Sequence, residues 1–91
     1  DSMEPTYNNG QTVWVKRTKE LKPGDVGIFV CDNEGFIKVY DEQEPEDEYK
    51  DAFTDSDGNL HPQPVLISYN QAYEPRLILP DMDFRIVGKV L

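Results

Sequence analysis

Two residues of this chain carry types that could do chemistry together. Ser2 heads a Ser2-Met3-Glu4-Pro5 turn, and Lys38 sits inside the apolar run Phe36-Ile37-Lys38-Val39-Tyr40. A serine hydroxyl is a weak nucleophile until a base takes its proton. Lysine can be that base only when neutral, and its ordinary pKa of about 10.4 keeps it charged near pH 7. Burial among apolar groups disfavours the ammonium, and a working base needs a pKa of roughly 7–8. Strand alternation puts Phe36, Lys38 and Tyr40 on one face and Ile37 and Val39 on the other, so two aromatic neighbours can shield the amine. Such a pair would be a Ser-Lys dyad, a peptidase chemistry that needs no histidine. Each residue also has a plainer reading. A serine at position 2 is commonly part of a frayed tail. A lysine in an alternating strand commonly faces solvent, its stem covering its neighbours. Alternation alone does not say which face is buried.

The elements that must position these residues are strands. Asn8-Asn9-Gly10 is a turn signal. Lys22-Pro23-Gly24-Asp25 puts Pro and Gly at the centre of a type II turn, and Asp32-Asn33-Glu34-Gly35 reads as a short hairpin loop. Between them lie β-branched and aromatic runs at Thr12–Arg17, Val26–Cys31 and Phe36–Tyr40, with later strands expected at Val65–Tyr69, Leu77–Leu79 and Phe84–Leu91. No long 3.6-period pattern appears, so little helix is expected.

The 91 residues fit one domain, residues 1–91, with a thin core that hides only about 60–65% of the unfolded surface. No apolar run approaches the ~20 residues of a membrane helix and no signal-peptide pattern appears, so the chain reads as cytoplasmic. The net charge is −9. Nine acidic residues and Lys50 between Asp41 and Asp57 account for −8 of it, leaving −1 elsewhere. Neither part has the clustered Lys and Arg of a phosphate-binding surface. Residues 41–64, dense in charge and broken by Pro45, Pro62 and Pro64, read as a solvated loop insertion with a short hairpin or helical turn near Tyr49–Phe53.

Other candidates are weaker. Cys31, the only cysteine, reads as an inert core thiol. His61 has no second histidine or cysteine nearby, so no zinc site is expected. Asp55-Ser56-Asp57-Gly58-Asn59 resembles a calcium loop, but its glycine is misplaced and Leu66 stands where glutamate is needed; a turn is the better reading. The Asp41–Glu48 carboxylates read as a solvated run rather than an acid/base pair. Trp14, Lys16, Arg17 and Lys19 have the types that bind single-stranded nucleic acid, but the chain is acidic and Trp14 at strand spacing is expected in the core.

The ordered set of segments resembles the self-cleaving serine peptidase domain of LexA-like bacterial and phage repressors. The set comprises Asp1–Pro5, Asn8–Val13, Leu21–Phe29, Gly35–Lys38, Leu66–Asn70, Tyr73-Glu74-Pro75 and Phe84–Leu91. Any one segment is only moderately specific; their order along the chain is what identifies the family. The resemblance implies an all-β domain of small, twisted antiparallel sheets forming a partly open barrel. It implies Ser2 as nucleophile, Lys38 as general base, the Ser2 main-chain N–H as an oxyanion donor, and Met3 and Pro5 as motif support. It implies no metal and no cofactor. The bond cut in this family lies in a linker to an N-terminal helix-turn-helix, is of Ala-Gly or Cys-Gly type, and in LexA-type members is cut when a RecA filament forms on single-stranded DNA. The partners implied are a second copy, through strand 84–91, a RecA-type filament as inducer, and DNA only through the helix-turn-helix domain.

The glycine and strand that usually precede the motif, the linker and the DNA-binding domain are absent from the sequence, so this chain is expected to be a C-terminal regulatory fragment unable to cut itself. A non-catalytic dimerisation and partner-binding module is the alternative. Type I signal peptidases share the Ser-Met-x-Pro turn. They usually follow their lysine with Arg and a Gly-x-Pro-Gly-Asp stretch, whereas Lys38 is followed by Val39-Tyr40-Asp41-Glu42.

Overall fold

The computed structural model describes residues 10–70 and 72–91. Ser2, Met3 and Pro5 lie outside them. Among the described residues there are six strands, β1 (Val15–Arg17), β2 (Val26–Cys31), β3 (Glu34–Gln43), β4 (Gln63–Ile67), β5 (Arg76–Leu77) and β6 (Phe84–Val90), with one 3-10 turn at Asp47–Tyr49. They form one open antiparallel sheet in the order β1-β6-β2-β3-β4-β5. The all-β expectation holds, and the described strands lie in one sheet rather than several.

The local chemistry of the turns explains the early strands. Gly24 has a φ of 95°, and the Asp25 N–H donates to the Lys22 carbonyl at 3.0 Å, as the Pro-Gly turn requires. The β2–β3 hairpin turns on Asp32 and Asn33 alone, at φ 51° and 69°. Asp and Asn tolerate that left-handed region better than other side chains. Glu34 and Gly35, expected in the loop, already pair with Cys31 and Val30.

The core lies on one face of the sheet. Phe29, Cys31, Tyr40, Leu66 and Ile78 are buried together, and Leu21, Phe36, Met82, Phe84 and Ile86 pack against them. Phe29 stands opposite Phe36 on β3 and Ile86 on β6, and its ring stacks with Tyr40 at 6.2 Å and Phe84 at 5.7 Å. Phe84 and Ile86, two apart on β6, share this face by alternation, and the register shift at Ile28/Phe29 skips Val87. Cys31 is the buried thiol expected, and burial pushes its pKa up.

Two expectations need correction. Asp41–Gln43 and Gln63–Pro64, read as loop, are strand: Asp41, Glu42 and Gln43 pair with Val65, Pro64 and Gln63. Backbone pairing is indifferent to side-chain charge where alternate residues reach solvent. Gln63, fully buried, anchors this end by donating to the Ile78 carbonyl at 3.1 Å and accepting from the Glu46 N–H at 3.4 Å. Only the tip is irregular, with the helical turn at Asp47–Tyr49 just before its expected place and a Thr54–Leu60 bridge closing the turn at Asp55–Asn59. Trp14, expected in the core, is 79% exposed. It precedes β1, a three-residue strand at the end of the sheet, where no described strand lies beyond to cover it.

Candidate active site around Lys38

Lys38 lies at the middle of β3, between two residues of the core face. Alternation puts Phe36 and Tyr40 on its side of the sheet, and both join the core. Tertiary packing thus decides what the pattern left open: Lys38 is on the covered face and is half-buried. On the β2 side its partner is Gly27. A Cβ on Gly27 would sit 2.5 Å from Leu21 Cδ1 and 2.7 Å from Phe29 Cζ, so any other residue here would have to push these two side chains aside. On the β4 side the register Val39–Ile67 continues to Ser68, which is 9% exposed. Lys38 Nζ donates to Ser68 Oγ at 2.8 Å.

Two further groups face the amine. Nζ lies 5.7 Å from the centre of the Tyr73 ring, and Tyr73 is half exposed. Arg76 from β5 is held over the Phe36 ring at 5.2 Å. The pKa of Lys38 is lowered, first by burial and then by the nearby Arg76 cation. Both causes disfavour the ammonium, which is the direction a lysine base requires.

The contribution of Arg76 is open to a direct test. Arg76→Gln is expected to raise the Lys38 pKa, because it removes a repelling charge and leaves the burial of Lys38 in place. Titration of the Lys38 Cε resonance would read this. An unchanged or lowered pKa would show that the cation is screened out.

Of the residues singled out from the sequence, Lys38 is placed as a half-buried amine, while Ser2, its main-chain N–H, Met3 and Pro5 lie outside the described residues. Ser68, Tyr73, Arg76 and Gly27 gained no role from the sequence. Ser68 had a signal, two residues after Leu66 in the same strand run and so on the same face. Tyr73 is marked only as part of the Tyr73-Glu74-Pro75 segment of the resemblance, and Arg76 has no signal, because its approach depends on how β5 folds back on β4.

The other candidates lie elsewhere. His61 Nε2 is 2.6 Å from Asp55 Oδ2, and Asp55 Oδ1 accepts the N–H groups of Asp57 and Asn59, so this segment closes on itself as a turn. Lys50 is bracketed by Glu44 and Asp47 at 3.3 and 3.0 Å. Among the described residues, no group of three or more His, Cys, Asp or Glu could hold a metal ion, and no helix is long and apolar enough to cross a membrane.

A family model described as Peptidase S24-like matches residues 1–50 of the 91, a span that contains both Ser2 and Lys38. No curated protein matches the chain.

Proposed function

Because the chain belongs to the Peptidase S24-like family, we propose that it is the regulatory domain of a LexA-like or prophage repressor with latent serine endopeptidase activity. The observation that carries this reading is the state of Lys38: half-buried on the core face and held below its ordinary pKa by burial and Arg76. In the proposed reaction, neutral Lys38 takes the proton of Ser2 Oγ as that oxygen attacks the scissile carbonyl. The Ser2 main-chain N–H donates to the oxyanion. The Lys38 ammonium then protonates the leaving amine, the C–N bond breaks, and an acyl-serine remains. Lys38, neutral again, activates a water that releases the acyl group and restores Ser2. The scissile bond would be an Ala-Gly or Cys-Gly linker, with a RecA-type filament as inducer.

The test joins the chain to an upstream linker carrying Ala-Gly and incubates it at alkaline pH, where more of Lys38 is neutral. Cleavage that Ser2→Ala abolishes is the expected result. Equal cleavage with and without Ser2 would overturn the proposal.

Dimerisation has its own supporting observation. Trp14, Val15, Val87 and Leu91 are all exposed at the β1–β6 end of the sheet, and apolar side chains gathered at a sheet edge favour pairing with another chain. β1 pairs only with Gly88–Val90, so Phe84–Ile86 has no strand partner on that side among the described residues. A homodimer through Phe84–Leu91 is expected in sedimentation equilibrium, with Val87→Asp giving monomer. A wild-type monomer at high concentration would exclude it. If Ser2→Ala left derepression in cells unchanged, the domain would be the non-catalytic dimerisation module instead.

A further inference from the structure

We infer that Ser68 is the positioning residue for Lys38, an inference that rests on the peptidase reading above: its hydroxyl holds one N–H of the amine and so aims the remaining lone pair. The geometry is specific. Ser68 follows β4 at the position opposite Lys38, is buried, and accepts from Nζ at 2.8 Å.

A neutral primary amine has two N–H groups and one lone pair. The lone pair can remove a proton only when it points at the serine oxygen, yet the Cε–Nζ bond rotates freely. An acceptor fixed on the opposite strand selects one rotamer and lowers the entropy lost in reaching the reactive one. The acceptor must also be neutral. A carboxylate at this position would lock the ammonium and raise the pKa that burial and Arg76 depress. A serine hydroxyl holds the amine without that charge. Among the described residues, the groups facing Nζ include Ser68 from the end of β4, Tyr73 from the following loop and Arg76 from β5, while Gly27 on β2 contributes no side chain.

This role makes two expectations that mere packing would not. A hydrogen bond to the charged form favours that form, so Ser68→Ala should lower the Lys38 pKa further. The same change should reduce the cleavage rate on the alkaline plateau by about tenfold, because the amine is no longer aimed. Activity and basicity then move in a pattern that loss of fold does not produce. Ser68→Thr keeps the hydroxyl on a β-compatible side chain and should restore both. Ser68→Asp should raise the Lys38 pKa and carry the rate profile to higher pH.

The experiment measures pH–rate profiles for the linker-bearing chain as wild type, Ser68→Ala, Ser68→Thr and Ser68→Asp. In parallel it titrates the Lys38 Cε resonance in a Ser2→Ala background. A lowered pKa and plateau in Ser68→Ala, with recovery in Ser68→Thr, supports the inference. A wild-type plateau in Ser68→Ala, or a loss that Ser68→Thr does not recover, overturns it. If the wild type does not cut at all, the peptidase reading fails by itself and the titration decides the contact. A Lys38 pKa that moves with Ser68→Ala and returns with Ser68→Thr keeps the hydroxyl as its partner; one that does not move removes it.

Discussion

Lys38→Ala is expected to abolish linker cleavage while leaving the sheet folded. A positioned general base contributes roughly 10²–10⁴ in rate, so the loss should reach at least two orders of magnitude. The fold should survive because the ammonium is not a stabilising charge. Its pKa lies below the 10.5 of an exposed lysine. The unfolded chain therefore holds this proton more tightly than the folded one. Between the folded pKa and 10.5 the unfolded state binds more protons, so this group's contribution to stability rises with pH across that window. Below the window the folded state carries the full penalty of a charge half out of water. Removing it offsets the lost packing of the lysine stem, and the urea midpoint at neutral pH should change little or rise. Wild-type cleavage should increase with pH as the amine loses its proton, with the midpoint of the rise below 10.5. A variant that cuts as fast as wild type on the plateau would assign the base to another group. A variant that unfolds would mean the stem contributes more to the core than the charge costs.

Phe29→Ala is expected to bring the domain to the edge of unfolding. The ring is fully buried, stacks on Tyr40 and Phe84, and occupies the space over Gly27. Deleting a buried Phe side chain costs about 3–5 kcal/mol. A chain of this length has a total stability of only about 5–14 kcal/mol. The melting temperature should fall by more than about 12 °C. The effect should extend to the site, because Phe29 packs over the glycine that pairs with Lys38. With the ring gone, water reaches the amine and its pKa should rise toward the ordinary value. A melting temperature within a few degrees of wild type would show that the surrounding rings collapse into the gap.

Much of the fold is legible in the residues themselves, for local reasons. Val26–Cys31 is a β-branched and aromatic run bounded by Pro-Gly and Asp-Asn turns, Phe84 onward is a second such run, and both form strands as expected. The turn residues specify their own dihedral angles, so neighbours suffice to place them. Charge misleads at Asp41–Gln43, where acidic side chains look like loop but the backbone completes its ladder against Gln63–Val65. Periodicity misleads at Trp14. A strand at the end of a sheet has a bonded neighbour on one side only, and nothing in its own residues reports that.

The site divides along the same line. Residue type and spacing suffice to mark Lys38 as the amine in an aromatic-flanked strand and Ser2 as the head of a Ser-Met-Glu-Pro motif, and the resemblance of the ordered segments points to the peptidase family whose model matches residues 1–50. They do not suffice for the surroundings of the amine. That Phe36, Lys38 and Tyr40 face the core, that Gly27 leaves room for Leu21 and Phe29, and that Ser68 and Arg76 meet the amine from β4 and β5 are settled by packing between distant segments. The physical reason is that a strand's pattern has two equivalent faces, and desolvation acts only on the one that another part of the chain covers. Ser68 is 30 residues from Lys38 along the chain and 2.8 Å from it in space. That closeness depends on the register of β3 against β4, which no local signal carries.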